Sequence, residues 1–514
     1  MNQQTIFYRK IAYAVAILAM LLVLYYLGFP SIKDPHDPTQ ILPGGVLARF
    51  KGADAEAALL SELQLGEIDP ASETIRLVSL GMRGFAAQIL WQEANEYKMK
   101  KDWTKLSATL QQLAKVEPHF INVWRFQAWN LSYNVSAEFD DYRERYRWVI
   151  RGIRFLQNGI QFNKREPMLV WDTGWFIAQK IGRADEKKQF RQLFRQDPDF
   201  HSPETRGEQR DNWLVGKQWF RRAEDMVDRG ADLRRVTPVL FYSHAPMCQM
   251  NYADNLEADG TFGKVAKGAF QQASREWKEY GDRQIPTYEP GKTIRLNDVE
   301  PLREEAAALV KRLEAMGPGL REKIREERRQ NLSKVEREAL ETPFEKRTDK
   351  QHELAYKAEQ QLRVTHEQLA RRLPEKFRSE ALAMARKADQ LEQQAAEIER
   401  SREIVNFVYW RRHAQVEQSD DALAARQAIY EAEQAMTKEA DLGKARAKFD
   451  QGFALWRKVL DSNPGLVEDG SYGRDLMEMI QNYRRLLDRQ DERFSENDFI
   501  LKDVIRVHRH ALPE

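Results

Sequence analysis

The residue types that carry out catalysis are present in this sequence, but their spacing matches no common catalytic motif. The nine histidines are scattered, and His366 has no second histidine four residues later, as a helical zinc-protease motif requires. Cys248 is the only cysteine and follows His244 by four residues, yet a lone cysteine is usually a small buried apolar side chain. His508 and His510 would need further ligands to hold a metal. We therefore expect no enzyme activity, no metal and no cofactor.

Aromatic side chains are the stronger functional signal, and the function they indicate is binding. Ten of the twelve tryptophans lie between Trp91 and Trp277, interleaved with tyrosine and arginine. These three residue types dominate the hot spots of protein interfaces, because they combine large apolar area with hydrogen-bonding edges. They are also common in cores, and the four-residue spacing of Trp171 and Trp175 fits a buried helix face equally well. A binding groove and a structural core therefore both remain open.

Composition predicts a mostly helical protein and excludes several classes. The chain has 514 residues, with 81 Lys and Arg against 79 Asp and Glu. Such balanced charge argues against a protein that mainly neutralises nucleic-acid phosphates. Charged residues reach 31%, hydrophobic residues 42%, and glycine and proline are sparse, which favours helices over sandwiches or disorder. One cysteine excludes an intrachain disulfide.

An uncharged stretch near the N-terminus predicts a membrane anchor. Residues 11–29 carry no charged side chain, and a helix of that length nearly spans a hydrocarbon core of about 30 Å. Its length and the lack of a small-x-small cleavage site favour an anchor over a cleaved signal peptide. Arg9 and Lys10 precede it, so the positive-inside rule places the N-terminus in the cytoplasm. The bulk of the chain would lie on the extracytoplasmic side of the inner membrane.

Pairs of helices with a period of about 34 residues follow. In the first pair, Ala94 takes the small-residue position at which paired helices approach closely, and Pro118 ends the second helix. Ala128 and Gly174 take the equivalent position in the next two pairs, and Phe270 marks a further pair. On these residues the chain resembles bacterial membrane-anchored proteins with degenerate tetratricopeptide repeats.

The resemblance implies a right-handed helical solenoid that binds other proteins along a concave face and has no chemistry of its own. In that family, certain positions of the first helix of each pair face the groove. In this sequence those positions hold the candidate partner-binding residues Trp91, Asn95, Lys98, Asn122, Arg125, Trp129, Tyr133, Trp171 and Trp175.

The middle of the chain predicts a charged helical arm. Between residues 300 and 420, acidic and basic side chains are frequent and nearly balanced. Breakers occur at Gly317, Pro343 and Pro374, while Leu and Ala recur at helical spacing between them. This pattern favours an antiparallel hairpin or short coiled coil over a single solvated helix. Such an arm could join copies of the chain into a homo-oligomer.

These features predict an all-α protein with five segments. They are residues 1–30, the cytoplasmic N-terminus and anchor; 31–54, a linker; 55–298, the solenoid; 299–402, the charged hairpin or coiled-coil arm; and 403–514, a C-terminal helical domain with one repeat-like pair.

We expect the function to be that of a membrane-anchored scaffold, which binds partner segments on an aromatic-rich groove and does not bind nucleic acid. A self-assembling envelope protein that uses the arm is the alternative. An enzyme in an unfamiliar helical domain is a third hypothesis, although no residue set has the spacing of an acid, base or nucleophile.

Overall fold

The computed structural model of this chain is helical almost throughout. It describes residues 15–23, 25–26, 32–33, 41–42, 83–233, 236–287, 289 and 291–510. Within these ranges, strands are limited to two short antiparallel pairs, β1 (Ile32–Lys33) with β2 (Ile41–Leu42) and β3 (Ile285–Pro286) with β4 (Thr293–Ile294). The predicted all-α class is confirmed for the described part of the chain.

The predicted anchor lies partly outside the described residues. Residues 15–23 and 25–26 are helical, and their large apolar side chains are exposed, as for Leu18 at 63% and Met20 at 65%. In the portion of the chain that the structure describes, no helix combines the length and the apolar character needed to cross a membrane. Apart from β1 and β2, the predicted linker also lies outside the described residues.

The chain forms two compact units. The first consists of Met1–Val236 and His244–Asp259, and the second of Thr237–Ser243 and Gly260–Glu514. One helix, Pro238–Ala258, contributes its beginning to the second unit and the remainder to the first.

The first unit is a succession of helix pairs. Its helices are α1 (Arg83–Met99), α2 (Trp103–Val116), α3 (Ile121–Trp129), α4 (Tyr142–Phe162), α5 (Pro167–Trp175), α6 (Ile181–Arg183), α7 (Lys187–Gln196), α8 (Asn212–Asp228) and most of α9 (Pro238–Ala258). Local sequence sets several of their starts. The Asp102 side chain accepts from the Lys105 backbone N–H and caps α2, and Pro167 occupies the first turn of α5, where its missing N–H has no helical partner to lose.

Small residues allow the helices of the first unit to pack closely, as the sequence predicts. Ala94 and Ala128 are 3% and 0% exposed. Gly174 on α5 faces Gly216 on α8, and a Cβ added to Gly174 would lie 3.1 Å from the Gly216 carbonyl oxygen. Side chains at these positions would push the helices apart.

The second unit contains the charged segment, which has six helices. These are α11 (Val299–Ala315), α12 (Leu320–Asn331), α13 (Lys334–Glu341), α14 (Asp349–Leu362), α15 (His366–Arg371) and α16 (Glu375–Ile404), preceded by α10 (Lys264–Asp282). The long helices α11 and α16 pack along each other, and the predicted alanine seam of α16 is buried at Ala388 and Ala395. The sequence predicted a hairpin of two helices, but four short helices lie between them. Gly319 with φ of 73°, Pro343 and Pro374 separate these helices.

The C-terminal part of the second unit has its own apolar core. It comprises α17 (Phe407–Glu417), α18 (Asp420–Gln434), α19 (Leu442–Ser462), α20 (Gly470–Arg489) and α21 (Lys502–His508). Phe449, Phe453 and Trp456 of α19 are at most 1% exposed. Gly452 lies against Ile429 of α18, so the predicted repeat-like pair is a closely packed helix pair.

Candidate functional site

Four of the predicted groove residues belong to one continuous aromatic cluster in the first unit, which we call the aromatic ladder. Its members are Trp129 and Tyr133 of α3 and the turn that follows it, Trp171 and Trp175 of α5, and His244 of α9. Trp129 and Tyr133 stack with their ring centroids 5.6 Å apart, and Trp171 and Trp175 stack at 5.5 Å. The Trp175 side chain lies beside the Tyr133 hydroxyl, where it acts to lower the Tyr133 pKa against the larger effect of burial, so the two stacks are neighbours. The His244 ring lies 4.7 Å from Trp171.

The four predicted members of the ladder are not enclosed in the core. Trp129 is 46% exposed, and Tyr133, Trp171 and Trp175 are half-buried. By contrast, Trp124 on the same helix as Trp129 is only 3% exposed. Contiguous aromatic surface of this kind is typical of sites that bind a partner.

A π-helical turn directly follows Trp129 of α3, and another directly follows Trp175 of α5. The turns are Asn130–Val135 after Trp129 and Phe176–Lys180 after Trp175. Because a π turn accommodates more residues than an α turn, it changes the direction of the side chains beyond it, and such turns are frequent at functional sites. Tyr133 lies within the first turn, where its hydroxyl meets Trp175.

Arg125 holds a buried carboxylate beside the ladder. Its Nη2 donates to Asp172 Oδ1 at 3.2 Å, and its Nε donates to the other carboxylate oxygen. Asp172 is 7% exposed. Burial raises the Asp172 pKa, although the hydrogen bonds and charge of Arg125 act in the opposite direction. Arg125 therefore belongs to an ion pair next to Trp171 and is not a free cation of the surface.

Lys180 adds a positive charge to the ladder. Its Nζ lies 4.3 Å from the centroid of the Tyr133 ring, at a distance suited to a cation–π interaction. Burial lowers the Lys180 pKa. Burial also raises the Tyr133 pKa, so the ring stays a neutral phenol.

The other predicted groove residues lie on α1 and α3, outside the ladder. Trp91 is half-buried, and its ring lies 5.6 Å from that of Phe120. Lys98 is exposed, with its Nζ 5.1 Å from the centroid of Phe126. Asn95 and Asn122 are exposed.

One cluster of potential metal ligands occurs among the described residues, in the second unit. It consists of His366, Asp389 and Glu392. Arg321 donates to His366 Nδ1 at 3.1 Å. Because a guanidinium can only donate, the proton of a neutral His366 ring must be on Nε2, which faces Glu392 at 3.4 Å. A metal on Nε2 would require the proton on Nδ1, against the guanidinium. The cluster is therefore better suited to hydrogen bonding than to metal binding.

The other residues that the sequence offered for catalysis or metal binding are Cys248, His508 and His510, and the first two are buried. Cys248 is 1% exposed and lies in a core cluster with Trp213 and Phe220. His508 is 8% exposed, and its Nε2 lies 2.8 Å from the Val467 carbonyl oxygen. His510 is exposed.

Comparison with known proteins does not identify a family. The sequence matches no protein-family model, and no curated protein matches it. The function is therefore inferred from the residues and geometry of the chain itself.

Sequence reasoning missed three residues around the ladder: Asp172, Lys180 and His244. Asp172 was detectable, because a carboxylate within the apolar run of α5 needs a partner when that helix is buried. Lys180 and His244 carried no such signal. His244 reaches Trp171 only because α9 folds back onto α5, and no local pattern encodes that contact.

Proposed function

We propose that this chain is a membrane-anchored, tetratricopeptide-like scaffold that binds partner proteins through the aromatic ladder. The observation that carries the proposal is a stacked aromatic cluster that reaches the surface, with Trp129 46% exposed and Tyr133, Trp171 and Trp175 half-buried. Trp171 and Trp175 also pack against a buried core cluster, so the accessible part of the ladder is centred on Trp129 and Tyr133. The transfer of apolar ring surface from water into a protein interface is favourable, so a partner that covers these rings gains binding free energy.

The polar groups around the ladder favour recognition over catalysis. Asp172 is occupied by Arg125, and the Tyr133 phenol stays protonated because burial raises its pKa. A nucleophile with an adjacent base is not found among the ladder residues that the structure describes. The Lys180 ammonium lies over the Tyr133 ring and can donate a hydrogen bond beside an apolar surface. Such a donor fixes the orientation of a bound segment.

The partner that fits this surface is a protein segment with large apolar side chains. Indole and phenol rings provide flat apolar area at low entropic cost, and the polar edges of the accessible rings Trp129 and Tyr133 can meet backbone carbonyls. Two stacked pairs linked through Trp175 and Tyr133 present that area as one strip.

We include the membrane anchor in the proposal. Its support is the uncharged run of residues 11–29 and the exposure of its described apolar side chains. An anchor confines the scaffold to the bilayer surface, which raises the effective concentration of membrane-bound partners. We place the bulk of the chain on the extracytoplasmic side because Arg9 and Lys10 precede the run.

The proposal is tested by chemical crosslinking and affinity capture of the full chain from membranes. Captured proteins are quantified for the wild type and for a variant that combines Trp129→Ala and Trp175→Ala. Trp410→Ala is the matched control, since Trp410 is also a half-buried tryptophan but belongs to the second unit.

We expect the ladder variant to lose its specific partners, with recovery reduced by about tenfold or more, while the control retains them. Equal recovery by wild type and ladder variant would contradict the proposal. Capture of the chain alone would favour self-assembly.

A further inference from the structure

A second surface of the first unit has the features of a binding groove, and it lies apart from the ladder residues. A cavity of about 730 Å³ opens between α2 and α4. A neighbouring cavity of about 440 Å³ shares Gln111, Phe155 and Asn158 with it. Together they form a trough along the two helices, which we call the α2–α4 groove.

Aromatic side chains form the walls of the α2–α4 groove. Trp103 of α2 and Trp148 and Phe155 of α4 line the larger cavity and are half-buried. Phe139 stacks on Trp148 with the ring centroids 5.8 Å apart. The floor is apolar, as shown by Leu131, which is 3% exposed. Four aromatic rings therefore line one trough.

Among the described residues that line the α2–α4 groove, three cations have no ion-pair partner, against one such carboxylate, Glu138. Lys101, Lys115 and Arg151 line it and are exposed, and none of them forms an ion pair with any residue that the structure describes. The Arg151 guanidinium lies 4.4 Å from the centroid of Trp148, so a cation sits directly beside the aromatic wall.

The carboxylates of the groove are already engaged. Asp102 accepts from the Lys105 backbone N–H at 3.1 Å and pairs with the Lys105 ammonium at 3.3 Å. Glu138 accepts from the Trp103 indole N–H at 2.9 Å. In contrast, the buried Ser107 hydroxyl beneath the cavity has no hydrogen-bond partner among the described residues. An occupant with negative charge and apolar side chains would complement this lining.

The α2–α4 groove is long enough to fit an elongated occupant. The α2 helix has 14 residues and is therefore about 21 Å long at about 1.5 Å per residue. Two joined cavities along such a helix accommodate about three to four turns of another helix. A helix with one apolar stripe can lie against the four aromatic rings, with acidic side chains directed to the cations.

We infer that the α2–α4 groove binds an acidic amphipathic α-helix of a partner protein. The inference concerns a surface that the proposed ladder function does not use, and it stands or fails without that function.

The test starts from an unbiased phage-displayed library of peptides of about 16 residues, long enough for about four helical turns. Peptides are selected on the full chain in detergent, synthesised with a fluorescent label, and measured by fluorescence anisotropy. The groove variant combines Lys101→Glu and Arg151→Glu. Because both side chains are exposed, the fold should be retained, and far-ultraviolet circular dichroism checks it.

The control variant makes the same charge change outside the groove. It combines Lys187→Glu and Lys188→Glu, two exposed positions at the start of α7. A milder variant, Lys101→Gln with Arg151→Gln, replaces the groove variant if the charge reversal alters the circular dichroism spectrum.

We expect enrichment of peptides with apolar residues at helical spacing and Asp or Glu on the flanks. Their dissociation constants should rise by about tenfold in the groove variant and stay within about twofold in the control. Affinity should also fall as salt concentration rises. The inference is overturned if no peptide is enriched, or if the enriched peptides are basic or aperiodic. It is also overturned if their binding depends on Trp129 and Trp175 rather than on the groove cations.

Discussion

At the scale of single residues, two tryptophans on one helix have different roles. Trp124 is buried, and its indole N–H donates to the Pro118 carbonyl oxygen at 2.8 Å. Trp129 is exposed and stacks on Tyr133. The sequence predicted Trp129 as a groove residue but left open whether the tryptophans form a groove or a core. The need of Asp172 for a partner was detectable, but its pairing with Arg125 was not, because that pairing depends on which helix covers Asp172.

This difference predicts effects of unequal size for the same substitution. Trp124→Ala should lower the free energy of unfolding by about 3–5 kcal/mol, since it leaves a cavity and removes a buried hydrogen bond. Trp129→Ala should cost less, about 1 kcal/mol, because 46% of Trp129 is already exposed to solvent. Urea unfolding followed by circular dichroism measures both, and a larger loss for Trp129→Ala would show that Trp129 is a core residue.

Substitution of Arg125 gives a second prediction, because it leaves the buried Asp172 carboxylate without its ion-pair partner. Arg125→Ala should destabilise the chain by about 1–3 kcal/mol, because the Asp172 carboxylate loses the guanidinium that satisfies it. Asp172→Asn in the same chain should restore part of the loss. Absence of any rescue in urea unfolding would mean that the Arg125 side chain stabilises the fold through other contacts. For this reason, Arg125 is a poor choice for testing partner binding.

A buried network in the second unit predicts a pH dependence. Glu417 is 0% exposed. Burial alone would raise its pKa, but the charges of Arg426 and His413 and the hydrogen bonds from Arg426 and Tyr472 outweigh burial and lower it. A carboxyl group whose pKa is lower in the folded state stabilises the fold above its unfolded pKa, near 4.5.

This stabilisation should therefore be lost as pH falls below about 4.5 toward the folded pKa. The wild type should lose more unfolding free energy between about pH 5 and pH 3 than the Glu417→Gln variant, which has no carboxyl group to titrate there. Parallel pH profiles for the two proteins in urea unfolding would show that Glu417 does not contribute.

At the scale of secondary-structure elements, the sequence predicted the helix pairs but not their local distortions. Small residues such as Ala94, Ala128 and Gly174 indicate close helix packing, because a helix cannot approach a neighbour closely across a bulky side chain. The π-helical turns after Trp129 and Trp175 have no comparable signature in residue type. Within the charged segment, Gly317, Pro343 and Pro374 were visible as breakers and mark three of the five junctions between the six helices. The other two junctions, at residues 332–333 and 363–365, contain neither glycine nor proline.

The contact between α5 and α8 gives a prediction at this scale. In Gly216→Ala, the new Cβ would lie 2.9 Å from the Ala178 Cβ and 3.1 Å from the Gly174 carbonyl oxygen. The variant should therefore lose about 1–3 kcal/mol of stability. Gly268→Ala is the control, because no atom lies within 4 Å of its new Cβ, and a helical alanine there should gain about 0.5–1 kcal/mol. Thermal unfolding that ranks the two variants the other way would contradict the close packing.

At the scale of the whole molecule, the proposed scaffold depends on attachment to a bilayer. The near-neutral charge of +2 gives the chain no general attraction to anionic lipid, so the apolar run must supply the attachment. Deletion of residues 1–30 should move the protein from the carbonate-washed membrane fraction to the supernatant. Retention of the truncated chain in the membrane would show that another segment anchors it.

The claim at the centre of this account is that the aromatic ladder contacts a partner protein, and site-specific photo-crosslinking measures it most directly. Benzoylphenylalanine is placed at Trp129 of the anchored chain or at Phe344, which is 70% exposed in the second unit. We expect irradiation to give a discrete adduct with another protein from position 129 and not from position 344. Identical adducts from both positions, or none from position 129, would contradict the account.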